Sequence, residues 1–424
     1  MTVTLGLLFL APTGSALTIK TRPVAVSSSE VQGNSSSYWP SASNDGRFVV
    51  FDSDASNLVA GDTNGAGDVF VRDRQMGTTR RVSVSSSEQE GDAPSHSASI
   101  SADGRFVAFV SSATNLVPGD MNGVQDVFVR DRKLGTTRRI SLRNDGGEGN
   151  DASFSPRISA NGAFVVFTSA ATNLASGDTN GSYDVFVRDR TRQRTKRVSL
   201  NSHEVGANGN SVDGSITPDG RYVVFDSSST NLSGGDTNGA QDIFIRDLHL
   251  GTTKRVSMNS LGFQGNGDST DARISGDGRV VVFRSTATNL VLHDTNASDD
   301  VFIRDRTAST TKRVSVRSNG NQANDRSSTP SISLDGRFVA FVSEATNLVG
   351  DDSNGQPDIF LRDRLTKSTK RISIGSSGAE GNGESYDPSI SPDGRFVVFV
   401  SYATNFMASD TNGRDEAFIR GPLG

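Results

Sequence analysis

Residues Gly61 to Asp73 read GDTNGAGDVFVRD, and near-copies recur along the whole chain. The motif opens at Asp62 and again at Asp120, Asp178, Asp236, Asp294, Asp352 and Asp410, each 58 residues after the last. A tight turn keeps the same step, at Asp45-Gly46, Asp103-Gly104, Asn161-Gly162, Asp219-Gly220, Asp277-Gly278, Asp335-Gly336 and Asp393-Gly394. Self-similarity at one fixed period marks an array of like supersecondary units. Seven such units account for nearly all of the chain.

Each unit reads as four strands. A short strand A (Ser41 to Ser43) precedes the Asp-Gly turn, whose residues suit the positive φ of a hairpin. Strand B is Phe48 to Phe51, and a long loop then carries Asn57-Leu58 and the Asp-Thr-Asn-Gly motif. Strand C is Val69 to Arg72 and strand D is Arg80 to Val84. B and C are apolar throughout rather than alternating, so both of their faces need cover. Radial stacking of blades supplies it. The expected fold is therefore all-β, a seven-bladed β-propeller of four-stranded blades. The last unit stops after its strand C (Ala417 to Arg420), while Arg22 to Val26 lies one period before Arg80 to Val84. That N-terminal segment is expected to supply the missing D strand, with Pro23 on an outer edge where a ladder donor is dispensable.

Residues 1–17 hold an apolar run from Val3 to Leu10 and the small residues Gly14-Ser15-Ala16, the pattern of a secretory leader remnant. The propeller, residues 18–424, is then expected to be secreted or periplasmic. There is no Cys, which excludes disulfides, thiolate metal sites and cysteine nucleophiles. A net charge of −5 gives no overall attraction to nucleic acid. The basic pairs of strand D, such as Arg80-Arg81 and Lys370-Arg371, are read as protection of an outer sheet edge. No later segment approaches the ~20 apolar residues of a helical membrane span. We expect a monomer with no nucleic-acid partner and no membrane span.

The segments PSISLDGRFVAFVS (330–343), DIFLRD (358–363), TKRISI (369–374) and PSISPDGRFVVFVS (388–401) resemble the WD-like propeller repeats of the TolB family. The chain departs from that family in blade count and in its long B–C loop. The resemblance implies a bacterial, often exported propeller that binds a protein or another ligand. No catalytic residue comes with it.

In this strand order the long D–A and B–C loops share one face, and long loops on a rigid scaffold are where binding usually resides. Two sets of residues there are candidates. The first is a set of possible calcium ligands, because calcium takes oxygens from alternate positions of a loop with a Gly at its sharp turn. The sets are Asp62, Asn64, Asp68; Asp120, Asn122, Asp126; Asp178, Asn180, Asp184; Asp236, Asn238, Asp242; Asp294, Asn296, Asp300; Asp352, Asn354, Asp358; and Asp410, Asn412, Glu416. Three side-chain oxygens are few for that ion. The competing reading is an Asx-turn that leads into strand C. Asn57 and its equivalents are expected to fix the loop, and Arg72 to pair with an acid such as Asp73.

The second set breaks the repeat. The position just before strand A reads Tyr38, His96, Phe154, Val212, Thr270, Ser328 and Tyr386, and Trp39, the only Trp, adjoins it. Tyr38, Trp39, His96, Phe154 and Tyr386 fall on neighbouring blades. They would form an aromatic crescent at the channel mouth, able to stack on a sugar ring or hold a peptide; packing of the closing blade is the alternative. The four His occupy four different repeat positions, and no Gly-x-Ser-x-Gly elbow exists. Three functions follow. The favoured one is a non-catalytic exported binding or scaffold module for a protein or small ligand. The others are a multivalent calcium-dependent carbohydrate binder and a hydrolase or lyase with its site in the channel mouth.

Overall fold

The computed structural model describes residues 19–407, 410 and 412–423. The leader-like stretch lies outside them. Among the described residues every regular element is a β-strand. The first is β1 (Lys20–Pro23), followed by blade one: β2 (Ser37–Ala42), β3 (Phe48–Ser53), β4 (Asp68–Asp73) and β5 (Thr78–Arg81). Strands β6 to β25 repeat that set in blades two to six, from Ser95–Ile100 to Ser368–Arg371. Blade seven has β26 (Ser385–Ile390), β27 (Val397–Ser401) and β28 (Glu416–Gly421), and β1 completes it as the outer strand. Lys20 pairs with Gly421 and Pro23 with Phe418, so strands from both ends of the chain close the ring. Seven antiparallel four-stranded sheets result.

The two apolar faces of strands B and C pack against different neighbours. Val49 and Phe51 join Val398, Ala417 and Ile419 of blade seven. Val50, Val69 and Val71 join Val107, Phe109 and Leu116 of blade two. Inside each blade a Phe of strand B stacks on a Phe of strand C; Phe51 and Phe70 have ring centroids 5.9 Å apart. Each such ring, fully buried, contributes about 1.5–3 kcal/mol.

Strand boundaries differ from the sequence reading at two places. Strand A begins four residues earlier than expected, at Ser37, so Tyr38 and its equivalents lie within it. Its pairing shifts between Tyr38–Asp52 and Ser41–Val50, which is a β-bulge. An irregular strand leaves no alternating pattern to read. Strand D ends at Arg81, and the apolar residues after it run on as loop.

Candidate functional site

The repeated loops close on themselves as Asx-turns. The Asn64 carbonyl oxygen accepts from the Ala66 N–H at 2.9 Å, and its amide donates to Asp68 at 3.1 Å and to the Gly91 carbonyl at 3.0 Å. Blade seven repeats the same bonds through Asn412, Gly33 and Glu416. Asn57 donates to the Gln32 carbonyl and accepts from the Asn34 N–H, fixing the loop as expected.

Within the carboxylates of each loop in blades one to six stands a guanidinium. Arg81 lies 3.2 Å from Asp62 and 3.3 Å from Asp68, and it also contacts Glu90. Arg139 pairs with Asp120 and Asp126, and Arg197 with Asp178 and Asp184. Arg255 pairs with Asp236 and Asp242, and Arg313 with Asp294 and Asp300. Arg371 reaches Asp352 and Asp358. The edge reading of the basic pairs therefore holds for only half of each pair. Arg80 is exposed, but the Arg81 side chain turns inward and is buried. Burial also pushes the Asp68 carboxyl up to about 6.

Blade seven lacks this arginine, because its D strand is β1 and Pro23 stands at the position. Gln32 donates instead to Asp410 and Glu416. Burial pushes the Glu416 carboxyl up to about 7.

Arg72 pairs with an acid of a loop, Glu30, rather than with Asp73. Its guanidinium donates to the Ser27 carbonyl at 3.0 Å and to Thr79 at 3.2 Å and contacts Glu30, tying blade one to the preceding D–A loop. Asp73 takes Arg47 of the A–B turn instead, 2.8 Å away. Strand pairing puts Arg47 beside the end of strand C, a contact that spacing alone does not show.

Of the aromatic candidates, Trp39 lines the central channel cavity. Tyr38 and Trp39 have centroids 6.0 Å apart, and Trp39 and His96 6.2 Å apart. Tyr386 packs on Tyr402 at 6.3 Å. Phe154 makes a separate edge contact with Tyr183 at 5.3 Å. Trp39 is 49% exposed, so an open ring face remains. Polar groups sit beside it. His96 contacts Gln125 at 3.2 Å, and burial lowers its pKa. Tyr386 donates to Asp415, and burial together with that carboxylate pushes its phenol well above the usual range. Tyr402, Tyr183 and Asp415 escaped the sequence reading because they lie on B–C loops and at strand C, away from the position compared.

The bulge in strand A has a common geometry. Trp39, Ser97, Ser155, Asp213, Asp271, Thr329 and Asp387 all have positive φ, from 45° to 60°. For L-residues this costs about 1–2 kcal/mol each, and the neighbouring blade braces several of them. Thr168 accepts from the Asp213 N–H at 3.3 Å, and Asp226 accepts from the Asp271 N–H at 2.8 Å. Oxygens of Asp213, Asp226 and Asp271 lie within 4.8 Å of one another. Asp226 is fully enclosed, which pushes its carboxyl well up, and it is engaged with backbone N–H groups.

No family model matches the chain, and no curated protein matches it. Solved structures do. The chain is similar to an oligogalacturonate lyase from Vibrio parahaemolyticus, with a TM-score of 0.54 at 11% identity, covering 96% of this chain and 97% of the other. The β-propeller domain of the trilobed protease from Pyrococcus furiosus gives 0.55 at 13% identity over 91% and 92%. TolB from Acinetobacter baumannii gives 0.42 at 16% identity over 89% and 81%. At such identities the likeness is one of fold, and the match to the Pyrococcus furiosus β-propeller domain agrees with the strand order found here.

Proposed function

We propose that this propeller is a non-catalytic, exported binding module that takes a carbohydrate at its channel mouth without calcium. The observation that carries the reading is the half-open Trp39 ring between Tyr38 and His96, with Tyr386 and Tyr402 alongside. A sugar presents apolar C–H faces to such a ring and hydroxyls to nearby polar groups. His96, Gln125 and Asp415 supply those groups. The calcium-free part of the reading is supported by the arginines, each of which already stands among the loop carboxylates and pairs with them in six blades. A non-catalytic role is supported by the same pairing, since those carboxylates are engaged in the scaffold. Export rests on the apolar run and small residues before Ala16.

A glycan array probed in EDTA tests this. Retention of a glycan class that is lost in Trp39→Ala is the expected result. No retained glycan, or equal retention by Trp39→Ala, would reject the mouth as a carbohydrate site. Binding that appears only with added calcium would return the loops to consideration.

A further inference from the structure

The channel below the mouth contains a second departure from the repeat. Two residues after the bulge position, five blades carry serine: Ser41, Ser99, Ser215, Ser331 and Ser389. Blades three and five carry Arg157 and Arg273 there. Ser99 and Ser331 show what the position normally does, each accepting the backbone N–H of the next blade at 3.0 Å. The two arginines do something else. Both line the channel cavity, about 370 Å³, together with Trp39, Asp213, Asp271 and Asp387.

Neither guanidinium has a carboxylate within ion-pair distance among the described residues. Arg273 donates to the carbonyl of its neighbour Ala272 at 2.8 Å. This contrasts with the loop arginines, each of which sits between two acids. Arg157 is open to the channel, yet protein surrounds it, and the like charge of Arg273 is the largest influence pushing it down, to about 9. Blade four, between them, carries only the small Ser215 at the matching position. Asp213, Asp271 and Asp387 line the same cavity and partly offset the two like charges, but none pairs directly with either guanidinium, and an anion placed between the two would relieve their repulsion. The guanidinium is a planar fork suited to carboxylate and phosphate oxygens.

We infer that Arg157 and Arg273 form an oxyanion subsite in the central channel, for a carboxylate or phosphate group of a small ligand. Asp213, Asp271 and Asp387, on the adjoining bulge ring, then accept from hydroxyl or ammonium groups of the same ligand. The site does not depend on stacking at Trp39, so it stands or falls apart from the carbohydrate reading.

Calorimetry on the full chain with D-glucuronate, inorganic phosphate and D-glucose tests it. Binding of glucuronate or phosphate, with glucose not bound, is expected; which of the two binds identifies the source of the oxyanion. The natural control is Arg157→Ser with Arg273→Ser, since serine is what five blades already carry. Each replacement is expected to weaken anion binding about 10-fold or more. Without ligand, the double variant should melt no lower than the parent, because a repulsion has been removed. Failure of both anions to bind, or equal binding by the double variant, would overturn the inference. A lower melting temperature with unchanged affinity would assign the pair a structural role instead.

Discussion

At the scale of single residues, the loop arginines and their one omission carry most of the meaning. Arg81 stands between Asp62 and Asp68, and all three side chains are almost completely enclosed. Removing the cation leaves buried like charges, so Arg81→Met should cost about 3–5 kcal/mol in urea unfolding. Unchanged stability would show that the ion pairs are incidental. Glu416 reports the opposite situation. Its folded pKa of about 7 lies above the ordinary 4.5, so the folded state holds the proton more tightly. Its contribution is fully present below about pH 4.5 and is lost as pH rises through about 7. Glu416→Gln should therefore match the parent near pH 4 and exceed it near pH 8, by on the order of 3 kcal/mol. Parallel pH–stability curves for the two proteins would contradict this. These arginines were visible in the sequence at a constant distance from each loop, but their inward direction was not. A basic pair at a strand edge looks the same whichever side chain turns in.

At the scale of elements, the blade is a turn, a Phe stack and a bulge. The A–B turn of every blade but the sixth rests on the first aromatic ring of the blade before it; in blade six Val280 takes the place of that ring. A Cβ at Gly104, where φ is +70°, would lie 2.2 Å from the Phe48 ring. Gly104→Ala thus combines strain with a clash and should lower stability by about 2–4 kcal/mol on thermal unfolding. A loss below about 1 kcal/mol would mean that the ring moves aside without cost. Strands B and C were legible because doubly buried strands leave unbroken apolar runs. Strand A was legible only beyond its bulge, from Ser41, because the bulge disrupts the period of two on which any strand reading relies. The same bulge explains the incomplete view of the site. Subtracting one position of the repeat found Tyr38, His96, Phe154 and Tyr386, whereas Arg157 and Arg273 lie three residues further along the same strand.

At the scale of the molecule, closure by strands from both ends makes residues 20–23 part of the last blade. Deleting residues 1–26 exposes the Glu416–Gly421 strand and removes Val24 from the blade-one core. The truncated chain is expected to aggregate or to melt well below the parent by scanning calorimetry, because an unpaired strand edge recruits other chains. An unaltered melt would show that the ring holds without its closing strand. The ring also sets out two kinds of position: repeated ones, engaged in the scaffold, and departures from the repeat, of which Trp39, Arg157 and Arg273 line the channel. Trp39 is the only Trp, so its emission reports on the mouth alone. The direct test is titration of that emission with the glycan class retained on the array, once in EDTA and once in calcium. The account predicts a saturable change that is the same in both buffers. Binding that requires calcium and leaves the Trp39 emission unmoved would contradict it.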